Sequence, residues 1–497
     1  MNNLNFLVDV LKESPVFKTL EKNVKPGRTV CASGLSTINK SNIIYALCRL
    51  KGVTAFCLAS DEKEAQTLCN DLSCMGLRAY VYPVRDFNFL DFQSRSHEYE
   101  HARLKVLLKL LNHECDVAIA CVDAAAQLTV PKNVLEQSVI EFEEGRELSL
   151  EKATKALTLL GYERFDAVEG SGQFSLRGGI LDFFMPDSDY PVRCEFWGDE
   201  ITDLSYFDIE TQRRFKKADK ITLSPSTEIV IEDRAALADK IEHKAKLLRS
   251  KNSAKAKEKL FSEAELIRSG AMIANADKFI NQIYDKPESL FDYLDRNTLV
   301  FASEFTAIQE RGKSMDFISN ETLMQGFEDG TLCRGFDRFA LTFNECTEFL
   351  QSHGTIVLEN FVHGSMPIKL SEIISFSTKQ LSAWGGSYKQ LKEDVDGLFT
   401  PESKGVIFAG TETAAKNLCD TFNADGINAV YSEGADKISK GELLVMQGAL
   451  SAGFEYPSQK FFAITYSQVS YRPEKSKKKK KKTGQEIYSL SELAPGD

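Results

Sequence analysis

Long apolar runs are missing from this chain. Nowhere do about 18 consecutive apolar residues occur, the length a helix needs to cross a bilayer. The opening Met1-Asn2-Asn3-Leu4-Asn5-Phe6 also lacks the basic-then-apolar order of a secretion signal, and the expectation is a cytoplasmic protein with no membrane partner. A basic surplus is missing too. Lys and Arg number 61 against 72 Asp and Glu, a net charge of -11, so the surface as a whole repels a nucleic-acid backbone and any DNA contact must come from a local patch. Metal-ligand spacing is absent as well. The 11 cysteines are odd in number and scattered through apolar stretches such as Val53 to Leu58, and Cys69 and Cys74 do not have the spacing of a zinc knuckle. They read as reduced core residues, with no metal site.

What is present is enough apolar material for several cores. With 43% hydrophobic and 27% charged residues over 497 positions, domains of roughly 100 to 200 residues give three or four units. In the first 135 residues, β-rich runs at 28–32, 53–58, 77–82 and 116–121 alternate with helical patterns, as in a parallel sheet with crossover helices. Leu104, Leu107, Leu108 and Leu111 fall on one face of a helix over about 100–111. From 136 to 220 the pattern becomes a helix, capped at Ser149 and stopped at Gly161, and then a strand meander: 174–185, 191–197 and 201–207. A charged helical stretch at 232–277 is followed by strand-like runs at 299–302, 339–341 and 355–358, which return to a sheet. The fold class expected is therefore α/β: a parallel sheet domain (1–135 and 221–375) split by an inserted α+β unit (136–220), then a separate small α/β domain (376–470) with a strand at 405–409 and a helix capped at Thr411. The lysine run 477–482 reads as a solvated linker over 471–485. Pattern resumes at Leu490 but too little follows to build a core, so 486–497 reads as the start of a further, truncated domain.

Gly34-Leu35-Ser36-Thr37-Ile38-Asn39-Lys40-Ser41 lies between a strand and a helix and resembles a phosphate-binding loop. Gly34, Lys40 and Ser41 keep the required types, whereas Asn39 stands where the second glycine would let the backbone close on phosphate. The acidic strand end that would hold magnesium is missing, and Cys121-Val122-Asp123-Ala124 is a poor substitute. The loop reads as vestigial, a relic that keeps the fold, with residual nucleotide binding as the other possibility.

In the meander, strict alternation puts Val192, Cys194 and Phe196 on one face of a strand and Arg193, Glu195 and Trp197 on the other. Arg177 shares the outward phase of Ser175 in the partner strand. Trp and Arg dominate protein-protein hot spots, so this face is a candidate docking surface. The same residues also suit an ordinary amphipathic hairpin with a cross-strand ion pair and a half-covered tryptophan, and pattern alone does not separate the two.

The segments Gly172 to Phe184, Arg193 to Ile201 and Phe207 to Arg213 are similar to a signature shared by UvrB and the transcription-repair coupling factors (Mfd). Thr211-Gln212-Arg213, the degraded phosphate loop and Gly448 to Pro457 resemble the coupling factors more than UvrB. The resemblance implies a non-catalytic module that binds the repair protein UvrA through Arg177, Arg193, Glu195 and Trp197, with Trp197 in place of the family's usual phenylalanine. It implies that the lysine run is the linker before an RNA polymerase-interacting domain. In the full-length relative, motor domains use ATP and magnesium to translocate on double-stranded DNA and displace stalled RNA polymerase. This chain, lacking those domains, is expected to need no cofactor and to keep only recruitment; the alternative is a UvrB-like enzyme that uses the residual loop.

Overall fold

A computed structural model of the protein describes residues 4–85, 97–138, 140–249, 253–270, 276–361, 366–381 and 388–466. The lysine run and residues 486–497 lie outside the described residues. The first sheet draws strands from two distant stretches of chain: β1 (Val30–Ser33), β2 (Ala55–Ala59), β3 (Ala79–Val81) and β4 (Val117–Cys121) come before a long excursion. β13 (Leu299–Ser303), β14 (Thr355–Leu358) and β15 (Glu372–Ser375) come after it. The order is β15-β1-β14-β13-β2-β4-β3, and every pair is parallel. β2 and β4 are buried along their whole length, because helices cover both faces, and for that reason they read as unbroken apolar runs. Helices α1 (Asn5–Lys12), α2 (Pro15–Asn23), α3 (Thr37–Lys51) and α4 (Glu62–Cys74) cover one face. Helix α5 (Glu98–Leu111), with Leu104, Leu107 and Leu108 inward, covers the other.

The excursion holds an antiparallel pair, β5 (Ile140–Glu143) with β12 (Lys220–Leu223), and a second sheet. That sheet contains β6 (Glu163–Arg164), β7 (Gln173–Arg177), β8 (Ile180–Phe183), β9 (Val192–Trp197), β10 (Glu200–Phe207) and β11 (Arg214–Lys217), in the order β11-β10-β9-β8-β7-β6. The helix Leu150–Leu159 starts at Ser149, whose hydroxyl accepts the Lys152 N–H, and buries Ala153 and Leu157 against Phe142, Phe183 and Cys194. The run 174–185, read from sequence as one strand, is two. It folds back at Gly178-Gly179, and a Cβ on Gly179 would lie 2.7 Å from the Phe196 carbonyl oxygen. Only glycine lets β9 approach that turn. The run 339–341 differs as well: it forms a single bridge, Ala340 to Gln127, because Thr342 and Glu345 cap a helix immediately after it and end any strand.

The chain returns from the excursion through a buried ion network. Glu228 accepts from Arg103 Nε at 2.6 Å, both side chains fully buried, and from Thr129 Oγ1 at 2.6 Å. Arg85 joins Asp277 at 3.0 Å and Glu100 at 3.5 Å, and Arg103 lies over the Tyr82 ring. Burial alone would raise the Glu100 carboxyl, but the bond from His97, the Arg85 charge and the Glu228 amide outweigh it and hold it down at about 2. Every charge at this junction is thus paired, as burial requires.

The third domain is a mixed sheet of β16 (Lys379–Leu381), β17 (Lys404–Phe408), β18 (Ala429–Ser432), β19 (Glu442–Met446), β20 (Gly453–Tyr456) and β21 (Phe461–Thr465). Its order is β16-β20-β21-β17-β19-β18. The helix Glu412–Ala424 starts at Thr411, which accepts the Ala414 N–H, and covers one face. The other face packs Val406, Phe408, Met446, Phe454 and Phe461 into the same core as Phe6, Leu7 and Ile43 of the first domain. All 11 cysteines are free, nine of them buried. No helix among the described residues is long and apolar enough to cross a membrane.

Candidate protein-interaction surface

The alternation of β9 is realised in three dimensions: Val192, Cys194 and Phe196 enter the core of the inserted domain, and Arg193, Glu195 and Trp197 take the opposite face. Register then decides what that face offers. Ser175, Asp182, Arg193 and Ser205 line up across β7, β8, β9 and β10, and Arg177, Ile180, Glu195 and Asp203 form the next row.

The first row is closed to solvent. Ser175 is buried and donates to the Asp166 carbonyl, so the outward phase it shares with Arg177 does not expose it. The Asp182 side chain is 1% exposed and serves as the hub. Arg193 donates to its two carboxylate oxygens from Nε at 2.7 Å and Nη2 at 2.8 Å, a bidentate pairing that fixes the guanidinium plane. The remaining Arg193 donors reach the carbonyl and side-chain oxygens of Gln212 at 3.2 and 2.9 Å, and the guanidinium lies 4.3 Å from the Phe207 ring centroid. Gln212 adopts a left-handed φ of +58° to reach it. Arg193 is therefore a spent arginine, 13% exposed at its side chain. The ion pair of the amphipathic-hairpin reading exists, and it is buried rather than superficial.

The second row and the strand end are open. Arg177 gives Asp182 one bond at 2.8 Å and keeps half of its side chain in solvent. Glu195 pairs with Arg214, which also reaches Asp203 at 2.9 Å. Trp197 is 82% exposed, not half-covered, because it sits beside the Gly198-Asp199 turn at the tip of the β9-β10 hairpin. The Leu148 N–H donates to the Asp199 carbonyl and ties that tip to the domain body. A lone tryptophan this exposed is uncommon for a residue of its size. An exposed aromatic pair, Tyr190 in the β8-β9 loop and Phe215 in β11, has ring centroids 4.7 Å apart.

Sequence reasoning brought Arg177, Arg193, Glu195 and Trp197 to one face but missed Asp182, Phe207, Gln212 and Arg214. Asp182 could have been found, since a carboxylate inside the apolar run Ile180-Leu181-Asp182-Phe183-Phe184 must be paired if it is buried. Gln212 reaches the cluster only through tertiary contact.

The other predicted site is closed. Gly34 and Leu35 N–H groups donate to the carbonyls of Asn360 and Glu359, so two amides of the loop are already satisfied. Lys40 is buried, its ammonium held by Glu304 at 2.6 Å, Ser303 at 2.9 Å and Glu64 at 3.4 Å. Asn39 is buried and accepts from Ser36 at 2.6 Å, and Ser41 faces Asp71 at 3.4 Å. Asp123, the weak stand-in for a magnesium acid, pairs with Arg311. No cluster of three or more His, Cys, Asp or Glu side chains suited to a metal occurs among the described residues.

Residues 140–229 match the family model described as the UvrB interaction domain. The transcription-repair-coupling factor of Bacillus subtilis is 27% identical over 98% of this chain and 42% of its own length. That of Staphylococcus epidermidis is 26% identical over 84% of this chain and 36% of its own length, and that of Staphylococcus aureus 22% over 99% and 43%. The chain thus spans about two fifths of the length of the curated relatives it matches. Residues 140–229 are thus similar to a UvrB interaction domain, in a chain similar along nearly its whole length to the transcription-repair-coupling factor of Bacillus subtilis.

Proposed function

We propose that this chain is the UvrA-recruiting part of a transcription-repair coupling factor, and that the inserted domain engages UvrA with Trp197 as the anchor. The observation that carries the reading is the 82% exposure of Trp197 at the end of a strand whose other face, Val192, Cys194 and Phe196, is buried. Arg177, two strands away in the row of Glu195, supplies a half-free guanidinium suited to a carboxylate of the partner. Arg193 and Glu195 act differently. Arg193 holds the face in shape through Asp182, and Glu195, paired with Arg214, sets the charge pattern at the rim.

Recruitment of this kind needs no chemistry from the chain. The occupied amides of the loop and the neutralised Lys40 support a module that takes neither ATP nor magnesium here. RNA polymerase and double-stranded DNA would be partners of a longer form that carries motor domains. In the cytoplasm, a chain of this extent would link UvrA to that machinery.

A titration of the whole chain against UvrA, wild type beside Trp197→Ala and Arg177→Ala, tests the reading. Binding that weakens by about 30-fold in Trp197→Ala supports it, that being roughly a 2 kcal/mol hot spot. A folded wild-type chain that does not bind UvrA would refute it.

A further inference from the structure

The phosphate-loop remnant is surrounded by contacts that its ancestry does not explain. At its start, Gly34 has φ +77°, and a Cβ there would lie 2.2 Å from the Phe376 carbonyl oxygen. The Phe376 N–H donates to Ser33, and Thr378 Oγ1 donates to the Gly34 carbonyl at 2.7 Å. The chain entering the third domain is therefore laid directly along the loop. On the helix that follows, the Asn42 amide donates to the Tyr456 hydroxyl at 3.1 Å. Asp71, buried beside Ser41, accepts the Ser451 N–H and the Ser451 hydroxyl, each at 2.7 Å. Ser451 and Tyr456 belong to the turn and strand around β20, so the third domain reaches the loop helix from two separate segments.

We propose that the former phosphate site has become an internal socket whose occupant is the third domain of this same chain, with Glu304 standing where a phosphate oxygen would meet Lys40. A phosphate loop offers three things to its ligand: a lysine, convergent amides and a helix start free of obstruction. Here Glu304 takes the lysine, and Asn360 and Glu359 carbonyls take two amides. The strip from Phe376 to Thr378 and the 448–456 segment then cover Gly34 and the polar side of α3. Buried protein groups now bond the Lys40 ammonium, the Ser41 hydroxyl and the Asn42 amide nitrogen. The third domain has a mechanical role on this view: it is seated on the first domain and keeps the site shut.

Hydrogen exchange on the full chain tests the socket, with and without millimolar Mg-ATP. Asp71→Ala removes both acceptors of Ser451 and is expected to speed exchange of amides in 448–456 by about tenfold, the loss of two buried bonds worth roughly threefold each. Amides in β17 and β19 should keep wild-type rates, which separates undocking from unfolding of the domain. Tyr456→Phe removes only a hydroxyl and is expected to speed the same amides more weakly, so the question stays open to test if Asp71→Ala does not fold. Wild-type exchange in both variants would overturn the proposal. Protection of the loop by Mg-ATP that disappears in Lys40→Ala would overturn it too, since the loop would then still accept phosphate.

Discussion

Replacing Arg193 with alanine is expected to loosen the inserted sheet itself, by about 2 to 4 kcal/mol. Asp182 is 1% exposed and accepts three guanidinium bonds, two of them from Arg193. Breaking a buried ion pair from one side costs roughly 3 to 5 kcal/mol, because a charge is left without its partner. Arg177 retains one bond, and its half-exposed side chain lets water near the carboxylate, which lowers the cost here to about 2 to 4 kcal/mol. Native-state hydrogen exchange over β7 to β9 reads the effect locally, without assuming that the whole multidomain chain unfolds in two states. Exchange should rise about 30-fold or more. The double variant Asp182→Ala/Arg193→Ala should fall short of the summed single effects by about 2 kcal/mol, since removing both partners leaves no stranded charge. Exchange in Arg193→Ala within about threefold of wild type would refute the reasoning. A loss of UvrA binding in Arg193→Ala therefore reports on the shape of the face as much as on a lost contact.

Trp197→Ala is the complementary case: its exposed ring contributes little to the fold, so thermal stability should stay within about 0.5 kcal/mol of wild type while UvrA affinity falls. Lys40→Met leaves Glu304 and Glu64 without their cation and should cost about 3 kcal/mol in chemical denaturation of the first domain; a neutral result would mean that the ammonium is not needed there. Gly179→Ala places a Cβ 2.7 Å from the Phe196 oxygen and should cost about 1 to 3 kcal/mol, with accelerated exchange at the Phe196 amide. For pH, Glu100 is held at about 2, below its unfolded value, so its stabilisation is present above about 4.5 and lost as pH falls toward 2. Asp71 works in the opposite sense. Burial raises it to about 6 against the bonds from Ser451 and Ser41, so its contribution is complete below about 4 and lost as pH rises through 6. Stability measured against pH should therefore hold or rise slightly from 7 to 5 and drop below 4.5, with the acid drop weakened in Glu100→Gln.

The sequence by itself determined most element types and the face each candidate docking residue occupies. Unbroken apolar runs such as Val117–Cys121 can only be strands covered on both sides, and period-two alternation in 192–197 leaves Arg193, Glu195 and Trp197 no choice but to share a face. Local caps at Ser149 and Thr411 follow the same logic, because their partners lie three residues away. Burial of that face is a different matter. Whether Arg193 is free depends on Asp182 one strand away and on Gln212 from a loop nineteen residues on, and no local pattern encodes that meeting. The phosphate loop carries the same lesson. Its residue types suggested a vestigial loop, but its state is set by Glu304, Asn360 and Ser451, which lie hundreds of residues downstream. Periodicity acts through neighbouring residues along the chain, whereas occupancy and exposure depend on which distant segments the fold brings within bonding distance.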